Sequence, residues 1–330
     1  MKKICIYGLG SIGGLIGARL AASGVAVSAV ARGATLQAVR ERGLELIDTH
    51  EGQPRRRQFA IQASQRPEEL GPQDLVILSV KTTALPAVAR EIGPLIGPEA
   101  TVLSAMNGIP WWFLHGLGES ASGLRLDSVD PDGVLSRAIP AAQVLGSVTH
   151  LSAATDGPGI VRHVAGNRLI IGEPTGGAAT PRARAAVALL RNAGFDVEEA
   201  ASIQQEIWFK LWGNMTVNPI SGLTGATGDR ILDDELVRNF MSACMLEASS
   251  VGRRIGLPID ADPESRHAVT RQLGAFRTSM LQDVEAGKPV ELDALVGAVL
   301  EIARQVEVPT PSLNALFGLA RLHARVRGLY

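Results

Sequence analysis

Cysteine is nearly missing from this 330-residue chain: the two present, Cys5 and Cys244, lie far apart and in different expected elements. They build neither a disulfide framework nor a metal-ligand spacing, and both read as buried thiols. Excess charge of either sign is missing as well. The 32 basic and 33 acidic residues leave a net charge of −1, which excludes a broad basic surface for nucleic acid and leaves room for a few local cations around one small anion. Long apolar runs are absent too, because Arg19, prolines and glycines interrupt them, so no segment is long enough to span a bilayer. The opening MKKICIYGLGSIGG has too short an apolar run for a secretory leader, and a cytoplasmic location is expected. There is no internal repeat and no low-complexity tract.

What remains is a globular composition, 46% hydrophobic and 20% charged, in a chain long enough for one large or two moderate domains. At its start a β-branched run from Lys3 to Tyr7 meets the pattern Gly8-Leu9-Gly10-Ser11-Ile12-Gly13, after which Leu15, Ile16, Ala18 and Leu20 continue at helical spacing. This reads as strand, tight turn and helix. Its glycines let the backbone approach a pyrophosphate, which the free N–H groups and dipole of the helix N-terminus stabilise. A second strand, Val25 to Val30, ends at Ala31-Arg32-Gly33. Arg32 lies nineteen positions after Gly13, where an acid would accept from a ribose 2′-hydroxyl. A guanidinium there suits a 2′-phosphate, with no Asp or Glu competing nearby in sequence, so NADP(H) is favoured over NAD(H).

Further strands are expected at Leu44 to Ile47, Phe59 to Ile61, Leu75 to Val80 and Thr101 to Ser104, with Arg55-Arg56-Arg57 as a solvated turn. Lys81 follows the third of these, at the end of an open α/β sheet where ligands bind, and is a candidate for a cofactor phosphate or a substrate anion. Asn107-Gly108 is by default a turn, but its position beside the Lys81 strand lets the amide reach substrate or nicotinamide. Residues 109–142 read as a long excursion with one or two short elements. A hairpin is expected at Ile160 to Val164 and Arg168 to Ile171, turning on Ala165-Gly166-Asn167. His150 and His163 read as satisfied strand histidines.

After Ala200 the pattern becomes helix upon helix, which divides the chain into a dinucleotide-binding domain over 1–200 and a helical substrate-binding domain over 201–330. The first helix of the second domain carries Glu206 to Ser221, EIWFKLWGNMTVNPIS. Lys210, Asn214 and Asn218 recur every four residues on one face, beside the bulky Ile207, Trp208, Leu211, Trp212 and Met215. Such a polar row is either the rim of a core or the lining of a cleft.

Taken together, GLGSIGG, VKT at 80–82, MNG at 106–108, the Lys210-Asn214-Asn218 row and TSMLQDVEAGKPVELDALVG at 278–297 resemble the ketopantoate reductases. The resemblance implies a Rossmann-type α/β domain followed by an all-helical one, and NADPH-dependent reduction of 2-dehydropantoate to (R)-pantoate in the cleft between them. It assigns Lys210 as general acid and Asn107, Asn214, Asn218, Ser279 and Glu291 as substrate contacts. To the cofactor it assigns the glycine-rich turn, Arg32, Lys81 and Asn107. Met106, Phe276 and the long 109–142 segment depart from the family pattern. A small 2-keto acid is the expected partner, a homodimer is an allowed assembly, and neither nucleic acid nor membrane is expected.

The chemistry agrees with these roles. Hydride reaching a ketone carbon puts negative charge on its oxygen, which a positioned ammonium stabilises and protonates. Hydroxyl and amide groups such as Ser279 and Asn218 can hold a carboxylate without a second fixed charge, and Glu291 can accept from a substrate hydroxyl and orient the lysine. Against this stand simpler roles: a helix cap for Ser279, first-turn acid preference for Glu291 and an interhelical bond for Asn218. Two other functions stay open, a related 2-keto or 3-hydroxy acid dehydrogenase and a non-catalytic NADP(H) sensor.

Overall fold

The short apolar runs of the first half become strands because their side chains are buried on both faces, as parallel sheets require. In the computed structural model, which describes residues 1–50 and 53–330, β1 (Ile4–Tyr7) is buried throughout. It pairs in parallel with β2 (Val27–Val30) and, across β3 (Leu44–His50), β4 (Gln53–Phe59) and β5 (Gln62–Ser64) in sequence, with β6 (Gln73–Leu78). With β7 (Ile96–Ser104) and β8 (Val144–Gly157) the parallel order is β5-β2-β1-β6-β7-β8, the doubly wound arrangement of dinucleotide-binding domains. β9 (Ile160–Gly172) runs antiparallel to β8, β3 and β10 (Asp196–Glu199) lie parallel to β9, and β4 closes the far edge against β3.

The sheet curls around α1 (Ser11–Ala22). β3 and β1 are five strands apart, about 24 Å in a flat sheet. Yet a Cβ on Gly17 of α1 would lie 3.1 Å from Ile6 of β1 and 3.6 Å from Leu44 of β3. Only a curved sheet brings both to one helix. The helices α2 (Gly33–Arg42), α3 (Leu85–Glu91), α4 (Val134–Ala138) and α5 (Pro181–Asn192) complete this part. Thr180 caps the last by accepting from the Ala183 N–H at 3.2 Å.

Three local expectations fail. Phe59 to Ile61 is not a strand of its own: Phe59 ends β4, and residues 60–61 form the break before β5. Ala165-Gly166-Asn167 is not a turn: β9 passes through it, and the hairpin turns instead at Gly157-Pro158-Gly159. Gly166, with φ of +72°, absorbs the shift of register between His150 and Leu151 of β8, so the Gly-Asn signal marks a bulge. Arg55-Arg56-Arg57 is likewise part of β4, where Arg56 and Arg57 pair across the ladder with Glu45 and Asp48 of β3. Opposite charges on facing strands stabilise the ladder where the sequence suggested only solvation.

The second unit is helical: α6 (Ile203–Thr224), α7 (Gly228–Asp233), α8 (Glu235–Arg254), α9 (Pro263–Arg271), α10 (Ser279–Glu285), a π-helical turn Asp293–Gly297 leading into α11 (Ala298–Gln305), and α12 (Pro311–Val326). Asp234 and Asp262 cap α8 and α9 through their carboxylates, each worth about 1 kcal/mol. Residues 107–133 group with 204–330, and 1–106 with 134–203. The expected division at residue 200 therefore differs in placing 107–133 with the first part. The reason lies in contacts no local pattern reveals: the Glu301 carboxylate accepts from the N–H groups of Asp127 and Ser128 at 2.7 and 3.0 Å, and Phe113 stacks on Trp208. No described helix is long and apolar enough to cross a membrane, and both cysteines are free and buried.

Candidate active site

In the first unit the glycine-rich turn has the features that a pyrophosphate cradle needs. Gly8 adopts φ of +100°, and a Cβ on it would stand 2.7 Å from the Ser79 carbonyl oxygen. Gly13 lies so close to the Gly8 carbonyl that any side chain would overlap it. Gly10 is the N-cap of α1 and faces open space, with no side-chain cap and no acid in the first turn of Ser11, Ile12 and Gly13. The N-terminal N–H groups of α1 are thus left to an anion. Alongside is a cavity of about 270 Å³ lined by Gly8, Leu9, Arg32, Thr35, Val80 and Ala87 among others. These residues fit a dinucleotide.

Arg32 stands at the end of β2 as the N-cap of α2, but it is not alone. The Glu91 carboxylate of α3 pairs with its guanidinium and also accepts from the Tyr7 hydroxyl at 3.3 Å. Burial, and then the charge of Glu91, push the Tyr7 phenol up to about 12. The absence of a nearby acid therefore holds in sequence and fails in space. Lys81 begins the turn after β6, as expected of a strand-end residue, and is partly buried.

In the second unit the geometry centres on α6. Ile207, Trp208, Leu211, Trp212 and Met215 are all buried, and the Trp212 indole N–H donates to the Met245 carbonyl at 2.7 Å. With that face committed to the core, Lys210 and Asn214 come out half-buried and Asn218 is 7% exposed. Lys210 Nζ donates to Asn107 Oδ1 at 2.8 Å; an ammonium can only donate, so the amide oxygen faces it. Burial, aided by the charge of Arg266, lowers the Lys210 pKa to about 8.

Asn107 is held by its neighbours. Gly108 has φ of +81° and lies against the backbone of Ala294, where a Cβ would stand 2.7 Å from the carbonyl oxygen, and the Ile109 N–H donates to that same oxygen at 2.8 Å. The Glu291 carbonyl accepts from Leu295 in the same turn. The MNG motif is thereby docked on the segment that follows Glu291, and Lys210, Asn107 and the Glu291 turn form one connected group. Ser279 is exposed at the first position of α10, and among the described residues its side chain makes no hydrogen bond. The cap of that helix is Thr278, whose hydroxyl accepts from the Leu281 N–H at 3.1 Å, so capping does not account for Ser279. Phe276 packs its ring directly over Gly228.

Known families match this arrangement along the chain. The ketopantoate reductase PanE/ApbA family matches residues 4–176, and the ketopantoate reductase PanE/ApbA C-terminal family matches residues 202–324. The chain belongs to the ketopantoate reductase family. It is 41% identical over 329 residues to a 2-dehydropantoate 2-reductase of Mesorhizobium japonicum, with 99% of each chain covered. A crystal structure of a Ralstonia solanacearum protein assigned as a ketopantoate reductase is 54% identical, covers all of both chains and superposes with a TM-score of 0.94. The fold is shared more widely: D-mandelate dehydrogenase, 19% identical, has a TM-score of 0.82 with 99% of this chain and all of its own covered.

Membership makes the protein an oxidoreductase and implies a nicotinamide dinucleotide cofactor. Sequence reasoning missed Glu91 and Arg266. Neither carries a local signal, since the first reads as an ordinary acid ending a helix and the second as one more arginine on an amphipathic one.

Proposed function

We propose that the protein reduces 2-dehydropantoate to (R)-pantoate with NADPH, in pantothenate biosynthesis, with Lys210 as general acid. The observation that carries this reading is the Lys210 ammonium, held by Asn107 at 2.8 Å and brought to a pKa of about 8. A group so placed is protonated at neutral pH and still yields its proton readily. A reduced nicotinamide held at the glycine-rich turn would supply the hydride. Lys210 then stabilises the oxygen as charge develops and protonates it, while Asn107 holds the lysine against rotation. Among the described residues the side-chain amides of Asn214 and Asn218 make no hydrogen bond, and they serve as substrate-side contacts one and two turns further on. Glu291 and Ser279 are proposed as further substrate contacts. Lys81 and Asn107 are proposed as cofactor contacts.

The test is a panel of 2-keto acids, ketopantoate included, scored by NADPH consumption. Ketopantoate should give the highest kcat/KM; preference for another keto acid would replace this reading by a related reductase, and cofactor binding without turnover would replace it by a sensor.

The preference for NADPH rests on Arg32. Its pair with Glu91 is largely exposed, 55% and 39% by side chain, and such pairs contribute about 1 kcal/mol or less. A dianionic 2′-phosphate can therefore draw the guanidinium away. Glu91→Gln is expected to tighten binding of 2′,5′-ADP about three- to tenfold and leave 5′-AMP unchanged, as read by calorimetry. Equal effects on both ligands would remove Arg32 from the 2′-phosphate.

A further inference from the structure

The four-residue spacing of Lys210, Asn214 and Asn218 skips Gly213, which stands three residues after Lys210 on a neighbouring part of the same helix face. The space a side chain would take there is filled from α9. Arg266 brings Nε and Nη2 to 2.7 Å from the point where a Cβ on Gly213 would stand, and its guanidinium lies over the Phe209 ring at 5.9 Å from the centroid. Glycine at 213 is thus required for the arginine to lie against α6. The Nε is buried with no hydrogen-bond partner, and among the described residues no carboxylate pairs with Arg266.

An unpaired guanidinium taken partly out of water costs stability, and placing it near an ammonium adds repulsion. Both effects are visible. Burial lowers the arginine's own pKa, and its charge helps lower that of Lys210. Arg266 packs at the level of Gly213, about 4.5 Å along the helix axis from Lys210. In a 2-keto acid the carboxylate adjoins the keto carbon, so the groups that meet the two must stand side by side. The Nε–Nη2 edge is turned against the Gly213 backbone, which leaves the other guanidinium edge to meet a carboxylate with two parallel hydrogen bonds.

We propose that Arg266 binds the carboxylate of the 2-keto acid whose carbonyl oxygen Lys210 protonates, so that the anion completes a cationic site that Gly213 makes room for. This rests on the reductase reading above. It also differs from the sequence-based expectation that hydroxyl and amide groups hold the carboxylate without a second fixed charge.

The experiment compares the 2-keto acid that the wild-type enzyme reduces best with its methyl ester, in wild type, Arg266→Gln and Arg266→Lys. Arg266→Gln is expected to raise KM for the acid about 30-fold, to change kcat only a few-fold and to leave kcat/KM for the ester unchanged; Arg266→Lys should fall between. Oxamate, titrated by calorimetry in the absence of turnover, should lose affinity by the same factor. Equal losses for acid and ester, or an unchanged KM for the acid, would overturn the assignment while leaving the reductase reading intact. A wild type that reduces no 2-keto acid would overturn that reading itself, and oxamate binding unchanged by Arg266→Gln would then overturn the carboxylate site separately.

Discussion

Lys210→Ala is expected to lower kcat for keto-acid reduction about 100-fold or more, with dinucleotide binding retained. The alanine removes both the charge that meets the developing alkoxide and the proton that ends on it. The dinucleotide contacts proposed for the glycine-rich turn and Arg32 belong to other elements, so binding of NADPH measured by fluorescence should change little. The pH profile gives a second readout. Lys210 is the acid only while protonated, and its pKa stands at about 8 in the ligand-free protein. kcat/KM for reduction, which reports the free enzyme, should be level below pH 8 and fall tenfold per unit above it. In Lys210→Ala that alkaline limb should vanish. A near-normal kcat in the variant, or an alkaline limb that survives the substitution, would show that another group supplies the proton.

Gly13→Ala should abolish tight dinucleotide binding through a single methyl group. The added carbon would overlap the Gly8 carbonyl oxygen and press on Ile6 and Ser79, each 3.1 Å away. Gly8 cannot yield easily, because its φ of +100° already excludes most alternatives and its own Cβ position is blocked by Val80 and the Ser79 carbonyl. Either the turn opens or α1 lifts from β1, and both misplace the N–H groups that would face the pyrophosphate. An affinity loss of at least 100-fold is expected by calorimetry, with a lower thermal midpoint. Wild-type affinity in Gly13→Ala would mean that the cradle does not hold the cofactor.

The first α/β unit was legible in the sequence because its determinants are local. Gly8 is required by its own φ of +100°, and Gly13 by the Gly8 carbonyl five positions before it. Gly166 and Arg55 to Arg57 were misread for the complementary reason. A positive-φ glycine suits a turn or a bulge equally, and a basic run is solvated or paired according to which strand lies opposite. The placement of residues 107–133 depended on a carboxylate at Glu301, more than 170 positions away in sequence.

By itself the sequence determined that a dinucleotide-binding α/β unit precedes a helical one, and that Lys210, Asn214 and Asn218 share a face of α6. Those conclusions follow from periodicity, from turn chemistry and from the resemblance that the motifs carry. Only the tertiary structure decided what surrounds these groups: Glu91 on Arg32, Asn107 on Lys210, and Arg266 laid over Gly213. A charge's partner is set by distance in space, and neither spacing nor composition contains that distance.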